Sequence, residues 1–234
     1  MEPGPSVVLH ERDNQNLRQP LGKPVMIDIA AIDKASVSVE PFRFFAALHV
    51  ISSNDLAAIR GDFPAIDKPG VYPLEALSYG PAFARLIEDI RSPALAIAVG
   101  KKLGVDLSEL PLMITVRGQA QAKDGRIHTD TKDKVATCLL YLNETWESGG
   151  GRLRLLRGPH DLEDYVAEIP PNGGSFAAFK VTSNSWHGHH PYVGQRRYVM
   201  FNWVKNDSAL TRQLGRHKLS AKIKALLPFF YRGT

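Results

Sequence analysis

Hydrophobic residues change their spacing at Leu112, and that change limits the fold more than any other feature of the chain. Upstream, Pro81-Ala82-Phe83-Ala84-Arg85-Leu86-Ile87 places its apolar side chains at helical intervals. A second helical run follows, opened by Ser92-Pro93 and closed by Gly104. Residues 54–61 read as a further helix, capped by Ser53 or Asn54. Val25–Ile29 is a short strand candidate and Phe42–Val50 a strand or short helix, while Pro64, Pro69-Gly70 and Pro73 force an irregular crossing. Downstream, Met113–Arg117, Val135–Asn143, Arg152–Leu156, Tyr165–Ile169, Ser175–Phe179 and Arg197–Val204 are short strand candidates, separated by Gly, Pro or Asn clusters. Helices first and strands afterwards predict an α+β chain whose β part is an antiparallel two-sheet roll.

The expected organisation is an N-terminal arm with supporting helices over 1–110, a roll over 111–205 and a basic extension over 206–234, all in one folding unit. The net charge of +5 is uneven. From Lys205 to Thr234 seven lysines and arginines face one acid, Asp207, so the rest of the chain is near neutral. A nucleic-acid partner is therefore not expected. Ala209–Leu227 reads as an amphipathic basic helix that Gly215 would interrupt. It either packs on the roll with a solvated basic face or docks on an anionic surface. A homodimer through the N-terminal helices or the tail is compatible with the sequence. The single cysteine, Cys138, lies in an apolar run and reads as a core residue, which excludes a disulfide framework and a Cys-rich metal site. The N-terminus is not a secretion signal and no run approaches the ~20 apolar residues of a membrane span, so a cytoplasmic protein is expected.

His128-Thr129-Asp130 is the main candidate for chemistry. Alternate residues of a strand point the same way, so His128 and Asp130 can reach one metal from a single strand end. Much further along come His187, His189 and His190; of these His187, just after the loop that ends the Ser175–Phe179 strand, is the favoured partner. Two imidazoles and a carboxylate can occupy one face of a ferrous octahedron and leave the opposite positions open. An arginine beyond the second histidine, Arg196 or Arg197, would grip a carboxylate with its planar fork. Along that strand Arg197, Val199, Phe201 and Trp203 share the more apolar face, so Arg197 is taken as the anchor.

The stretch from Gly125 to Val204 resembles the Fe(II)/2-oxoglutarate-dependent dioxygenase superfamily, in its prolyl-4-hydroxylase-like branch. The resemblance rests on His128, Asp130, His187 and Arg197, on Thr137-Cys138-Leu139-Leu140-Tyr141-Leu142-Asn143, and on Trp146 with Gly149-Gly150-Gly151-Arg152-Leu153. It covers about a third of the chain. It implies a double-stranded β-helix (jelly-roll, cupin-like) core with N-terminal helices on one sheet. It also implies Fe(II) at His128, Asp130 and His187, O₂, and 2-oxoglutarate held by Arg197 with help from Tyr141. Many relatives carry a tyrosine on the strand before the first ligand, where this chain has Val116-Arg117-Gly118-Gln119-Ala120-Gln121. Arg117, Gln119, Gln121 and Arg152 are thus candidates for substrate contact. Asp130 is kept where halogenating relatives have a small residue, so hydroxylation is the expected outcome. The expected substrate is a small molecule, with a carboxylate as in an N-substituted amino acid. A peptidyl (prolyl) hydroxylase is the alternative, and a non-catalytic jelly-roll binding module the third reading.

Overall fold

The structure is a computed structural model that describes residues 25–215; the arm expected over 1–24 and the basic stretch beyond Gly215 lie outside them. Seven strands make the large sheet: β1 (Val37–Ser38), β2 (Phe44–Ala47), β3 (Tyr72–Pro73), β4 (Leu112–Ala120), β5 (Lys134–Tyr141), β8 (Phe176–Lys180) and β10 (Gly194–Val204). Their spatial order is β1-β2-β8-β5-β10-β4-β3. A smaller sheet, ordered β7-β6-β9, comprises β6 (Leu153–Leu156), β7 (Tyr165–Ile169) and β9 (His187–Gly188). All of these pairings are antiparallel. The roll expected from the alternating period is present, with helices on one side of the large sheet.

The central strands are buried on both faces. On one face Ala136, Cys138 and Leu140 of β5 and Val199, Phe201 and Trp203 of β10 join one core with the helices α3 (Pro81–Ile90) and α4 (Pro93–Leu103). Phe83, Leu86, Ile90, Leu95 and Val99 supply the helical side, each such side chain contributing roughly 1.5–3 kcal/mol of burial. The opposite face carries Leu139, Tyr141 and Tyr198, which pack on Leu153, Leu155 and Ile169 of the small sheet. The space between the two sheets on this second face holds the cavity described below.

The local signals mostly act as read. Ser92 caps α4 by accepting from the Leu95 amide, and Gly104 ends it in the left-handed conformation at φ 63°. The helix α2 (Ser53–Gly61) is capped one residue earlier than expected, by Ser52. Val25–Ile29 is not a strand. The amides of Met26 and Ile27 both donate to the Asp89 carboxylate, at 2.6 and 3.1 Å, and Asp28 caps the short helix α1 (Ile29–Lys34). Met26 and Ile27 are buried in the helical core, while Val25 is exposed.

Of the expected C-terminal helix, residues 207–215 are helical and form α5. Its docking is more polar than the expected leucine stripe. Gln213 is buried and reaches the Thr131 hydroxyl and the Asp133 carboxylate, and Arg212 pairs with Asp133 at 2.8 Å. The helix therefore grips the loop just after Asp130. The lysines and arginines of residues 216–234 lie outside the described residues. No described helix is long and apolar enough to cross a membrane.

Candidate active site

His128 and His187 face each other as an antiparallel bridge outside the main ladders. Each donates its amide to the other's carbonyl, both at 3.0 Å, and their rings lie 4.3 Å apart. One potential ligand atom from each of His128, Asp130 and His187 lies within 4.8 Å of the others. The same tautomer is set on both rings: Nδ1 of His128 meets the Arg126 carbonyl at 2.9 Å, and Nδ1 of His187 meets the Ser185 carbonyl at 3.0 Å. With Nδ1–H donating to a carbonyl, each Nε2 keeps its lone pair for a metal.

Asp130 is tied down through both oxygens. Lys134 Nζ donates to Oδ1 at 2.7 Å, and the Thr137 hydroxyl donates to Oδ2 at 2.5 Å. Burial alone would raise the Asp130 pKa, but Lys134 and His187, with the hydrogen bonds, hold it well below the ordinary carboxylate range. Burial pushes His187 down to about 4, so it is neutral and metal-competent near neutral pH. These three groups fit a divalent ion of the ferrous class: two imidazoles, one ionised carboxylate, and an opening to solvent beside the exposed His128.

A cavity of about 230 Å³ extends from this triad between the sheets. Its lining includes a buried guanidinium, that of Arg196. The Arg196 Nε donates to the Gly151 carbonyl at 2.9 Å and Nη2 to the Tyr141 hydroxyl at 3.2 Å, and the guanidinium lies over the rings of Tyr141 and Tyr198. No carboxylate pairs with it among the described residues. Burial raises the Tyr141 pKa to about 12 despite the neighbouring guanidinium, so this hydroxyl stays protonated.

Arg197 is not where the strand pattern put it. The alternation along β10 is as read, but the face was misassigned. The apolar face with Val199, Phe201 and Trp203 packs on the helices, and Arg197 follows it, lying over the Phe63 ring at 5.0 Å. The cavity lies on the other face, with Arg196, Tyr198 and Met200. Both faces of this central strand are buried, so the more apolar one belongs to the helical core and the cavity takes the more polar one. Tyr141 stands beside the cavity arginine as the resemblance implied, but its partner is Arg196.

Among the substrate candidates, Arg117 lines the cavity and pairs with Asp124 at 3.1 Å, while its buried Nε has no hydrogen-bond partner. Gln121 acts behind it, its amide donating to the Asp124 carboxylate at 3.2 Å. Gln119 does not line the cavity. Arg152 points away, donating to the Ser148 carbonyl at 2.9 Å and facing Glu168 at 3.5 Å. His189 does line the cavity, its ring held by the His190 carbonyl at 2.8 Å. Sequence reasoning missed Lys134, Thr137 and Tyr198 as cavity residues. Parity could have found two of them: Thr137 and Leu139 share the Tyr141 face of β5, and Tyr198 shares the Arg196 face of β10.

Residues 117–205 match the family model of the 2OG-Fe(II) oxygenase superfamily. The fold is similar to that of a prolyl-4-hydroxylase from Pseudomonas putida, with a TM-score of 0.51 and 17% identity over 76% of this chain and 98% of that one. Weaker likenesses include HygX from Streptomyces hygroscopicus, solved with nickel and 2-oxoglutarate bound, at TM-score 0.48 and 15% identity over 69% and 82% of the two chains. A viral collagen prolyl hydroxylase from Paramecium Bursaria Chlorella virus-1 follows at TM-score 0.46 and 14% identity over 70% and 95%. No curated protein matches the chain. The matched segment spans most of the roll, and the family match together with the fold likeness supports a 2OG-Fe(II) oxygenase with a double-stranded β-helix core. A 2OG-Fe(II) oxygenase requires Fe(II), 2-oxoglutarate and O₂, and His128, Asp130 and His187 in the matched segment form a set that could hold the metal.

Proposed function

We propose that this oxygenase hydroxylates an aliphatic C–H bond of a small, carboxylate-bearing molecule, such as an N-substituted amino acid. His128, Asp130 and His187 would hold the iron through the two Nε2 atoms and one carboxylate oxygen. Fe(II), with O₂ and 2-oxoglutarate, supplies insertion of one oxygen atom into the C–H bond; the other oxygen atom leaves in succinate, with release of CO₂. Arg196, with the Tyr141 hydroxyl beside it, would receive the distal carboxylate of 2-oxoglutarate.

The observation that carries this reading is a buried guanidinium, Arg196, facing the same cavity as the triad with no carboxylate beside it among the described residues. Burying an unpaired cation is costly, so a site of this kind is completed by an anion. One carboxylate of the co-substrate answers Arg196. Arg117 is a second guanidinium lining this cavity, held by the Tyr198 hydroxyl and Asp124 but with its buried Nε left without a partner. It supports a substrate with a carboxylate of its own. Arg117 would orient that group and so present one C–H bond to the iron.

The test has two arms. Anaerobic addition of Fe(II) and 2-oxoglutarate should give a weak visible charge-transfer band that His128→Ala removes. Succinate release should then be stimulated by carboxylate-bearing small molecules and not by proline-rich peptides, with one oxygen atom gained by the stimulating compound. Stimulation by peptides alone would replace the small-molecule reading with a prolyl hydroxylase. No band, and no turnover of 2-oxoglutarate with any compound, would end both.

A further inference from the structure

Lys134 is an unusual neighbour for a metal-ligating carboxylate. It is only 7% exposed, and its ammonium sits 2.7 Å from Asp130 Oδ1. A buried lysine of this kind needs a paired anion, and Asp130 is the partner it has. The second oxygen is held differently. Asn202, fully buried, donates through Nδ2 to the Thr137 hydroxyl at 2.8 Å. Thr137 has one proton, and because Asn202 already donates to its oxygen, that proton goes to Asp130 Oδ2 at 2.5 Å. The Asn202 Oδ1 is left buried without a partner, so the amide is held in this orientation at a cost to stability.

The two oxygens are therefore not equivalent towards a cation. Oδ1 carries a full positive charge at hydrogen-bond distance. Oδ2 carries only a neutral hydroxyl. A divalent ion approaching Oδ1 would meet the ammonium; one approaching Oδ2 would not. We propose that Lys134 is a positioning residue that reserves Asp130 Oδ1, so that the carboxylate gives the iron one oxygen and cannot chelate with two. The consequence lies in the number of open positions. Two imidazoles and one oxygen leave three places on an octahedron, two for a chelating co-substrate and one for O₂; a chelating carboxylate would take one of these away. Lys134 thus protects the 2-oxoglutarate site without touching 2-oxoglutarate. This inference rests on the reading of the cavity given above.

The experiment uses the full-length protein loaded with Co(II), which reports its coordination through its visible spectrum, under argon. Wild type is compared with Lys134→Met, Lys134→Gln and Lys134→Arg. The readouts are Co(II) affinity, the Co(II) spectrum, and the affinity of the Co(II) form for 2-oxoglutarate. For Lys134→Met the expected result is Co(II) affinity equal to or tighter than wild type, since a repelling charge is gone. Its Co(II) spectrum should change, and 2-oxoglutarate affinity should fall at least about ten-fold. Lys134→Arg should return the spectrum and bring 2-oxoglutarate affinity to within about three-fold of wild type. If Lys134→Met does not fold, Lys134→Gln is judged by the same criteria. Unchanged 2-oxoglutarate affinity and spectrum in the neutral variants would overturn the proposal. A parallel loss of Co(II) and 2-oxoglutarate that arginine does not restore would also overturn it, because Lys134 would then be part of the scaffold alone. Failure of wild type itself to bind Co(II) or 2-oxoglutarate would remove the reading of the cavity, and this inference with it.

Discussion

Arg196 and Arg197 are adjacent in sequence and opposite in consequence. The first is buried against Tyr141 and Tyr198 and looks into the cavity; the second lies on Phe63 over the helical core. A charge-assisted hydrogen bond contributes about 1.5–3 kcal/mol. Arg196→Ala is therefore expected to weaken 2-oxoglutarate binding by roughly ten- to a hundred-fold, read as a rise in the KM for 2-oxoglutarate in a succinate assay. Arg197→Ala should leave that KM within about two- to three-fold, because its loss removes a contact with Phe63 and none with the cavity. A reversed ranking would return the anchor to Arg197. The sequence made His128, Asp130 and His187 legible because their residue types and order carry the chemistry directly. The arginine was half legible. Parity separated the two candidates correctly, but hydropathy could not say which buried face of β10 holds a cavity. Lys134 was not legible, since a lysine four residues past an aspartate is ordinary in any soluble chain, and only the return of β5 over the Asp130 loop brings it to the ligand.

At the scale of elements, the site depends on pieces too short to announce themselves. The strand β9 is two residues long, yet it carries His187 and pairs with Leu155 and Arg154 of β6. Such a segment has no periodicity to detect, whereas α3, α4 and the longer strands do, which is why those were readable and β9 was not. Opposite β9 runs the turn that delivers His128. There Gly125 has φ 88°, its carbonyl accepts from the His189 amide at 2.9 Å, and a Cβ added to it would overlap the His189 ring and carbonyl. Only glycine fits both the backbone angle and the space. Gly125→Ala is expected to cost about 1–3 kcal/mol and to weaken metal binding as well, because the shift passes through Ile127 to His128. Gly61, at the end of α2, is the matched control. An added Cβ there meets nothing within 4 Å, so Gly61→Ala should be neutral or stabilise by about 0.5–1 kcal/mol. Urea unfolding beside a Co(II) titration would check both; a Gly125→Ala protein with unaltered metal affinity would show that the turn does not set the position of His128.

For the whole molecule, the cavity sets buried polar groups between the two sheets, and stability must follow the protonation of those groups. Burial pushes both His187 and His189 from an ordinary 6.5 down to about 4. The unfolded chain therefore takes up protons at these two sites as pH falls through about 6.5, while the folded chain does not until about pH 4. Between those limits the unfolded state binds more protons, so stability falls as pH falls. The loss approaches two protons, on the order of 2.7 kcal/mol per pH unit, and below it the depressed Asp130 adds a further loss as the unfolded carboxylate protonates. Above pH 7 neither imidazole contributes a slope. Metal-free protein should accordingly show a urea midpoint that is level from pH 8 to 7 as far as these two groups determine it, and falls steeply from about 6.5 towards 4. A His189→Gln variant should lose about half of that slope while keeping the His187 part. Midpoints that stay level down to pH 5 would mean the two imidazoles accept protons inside the fold. The neutral His187 on which metal binding at mildly acidic pH depends would then be lost early in the titration.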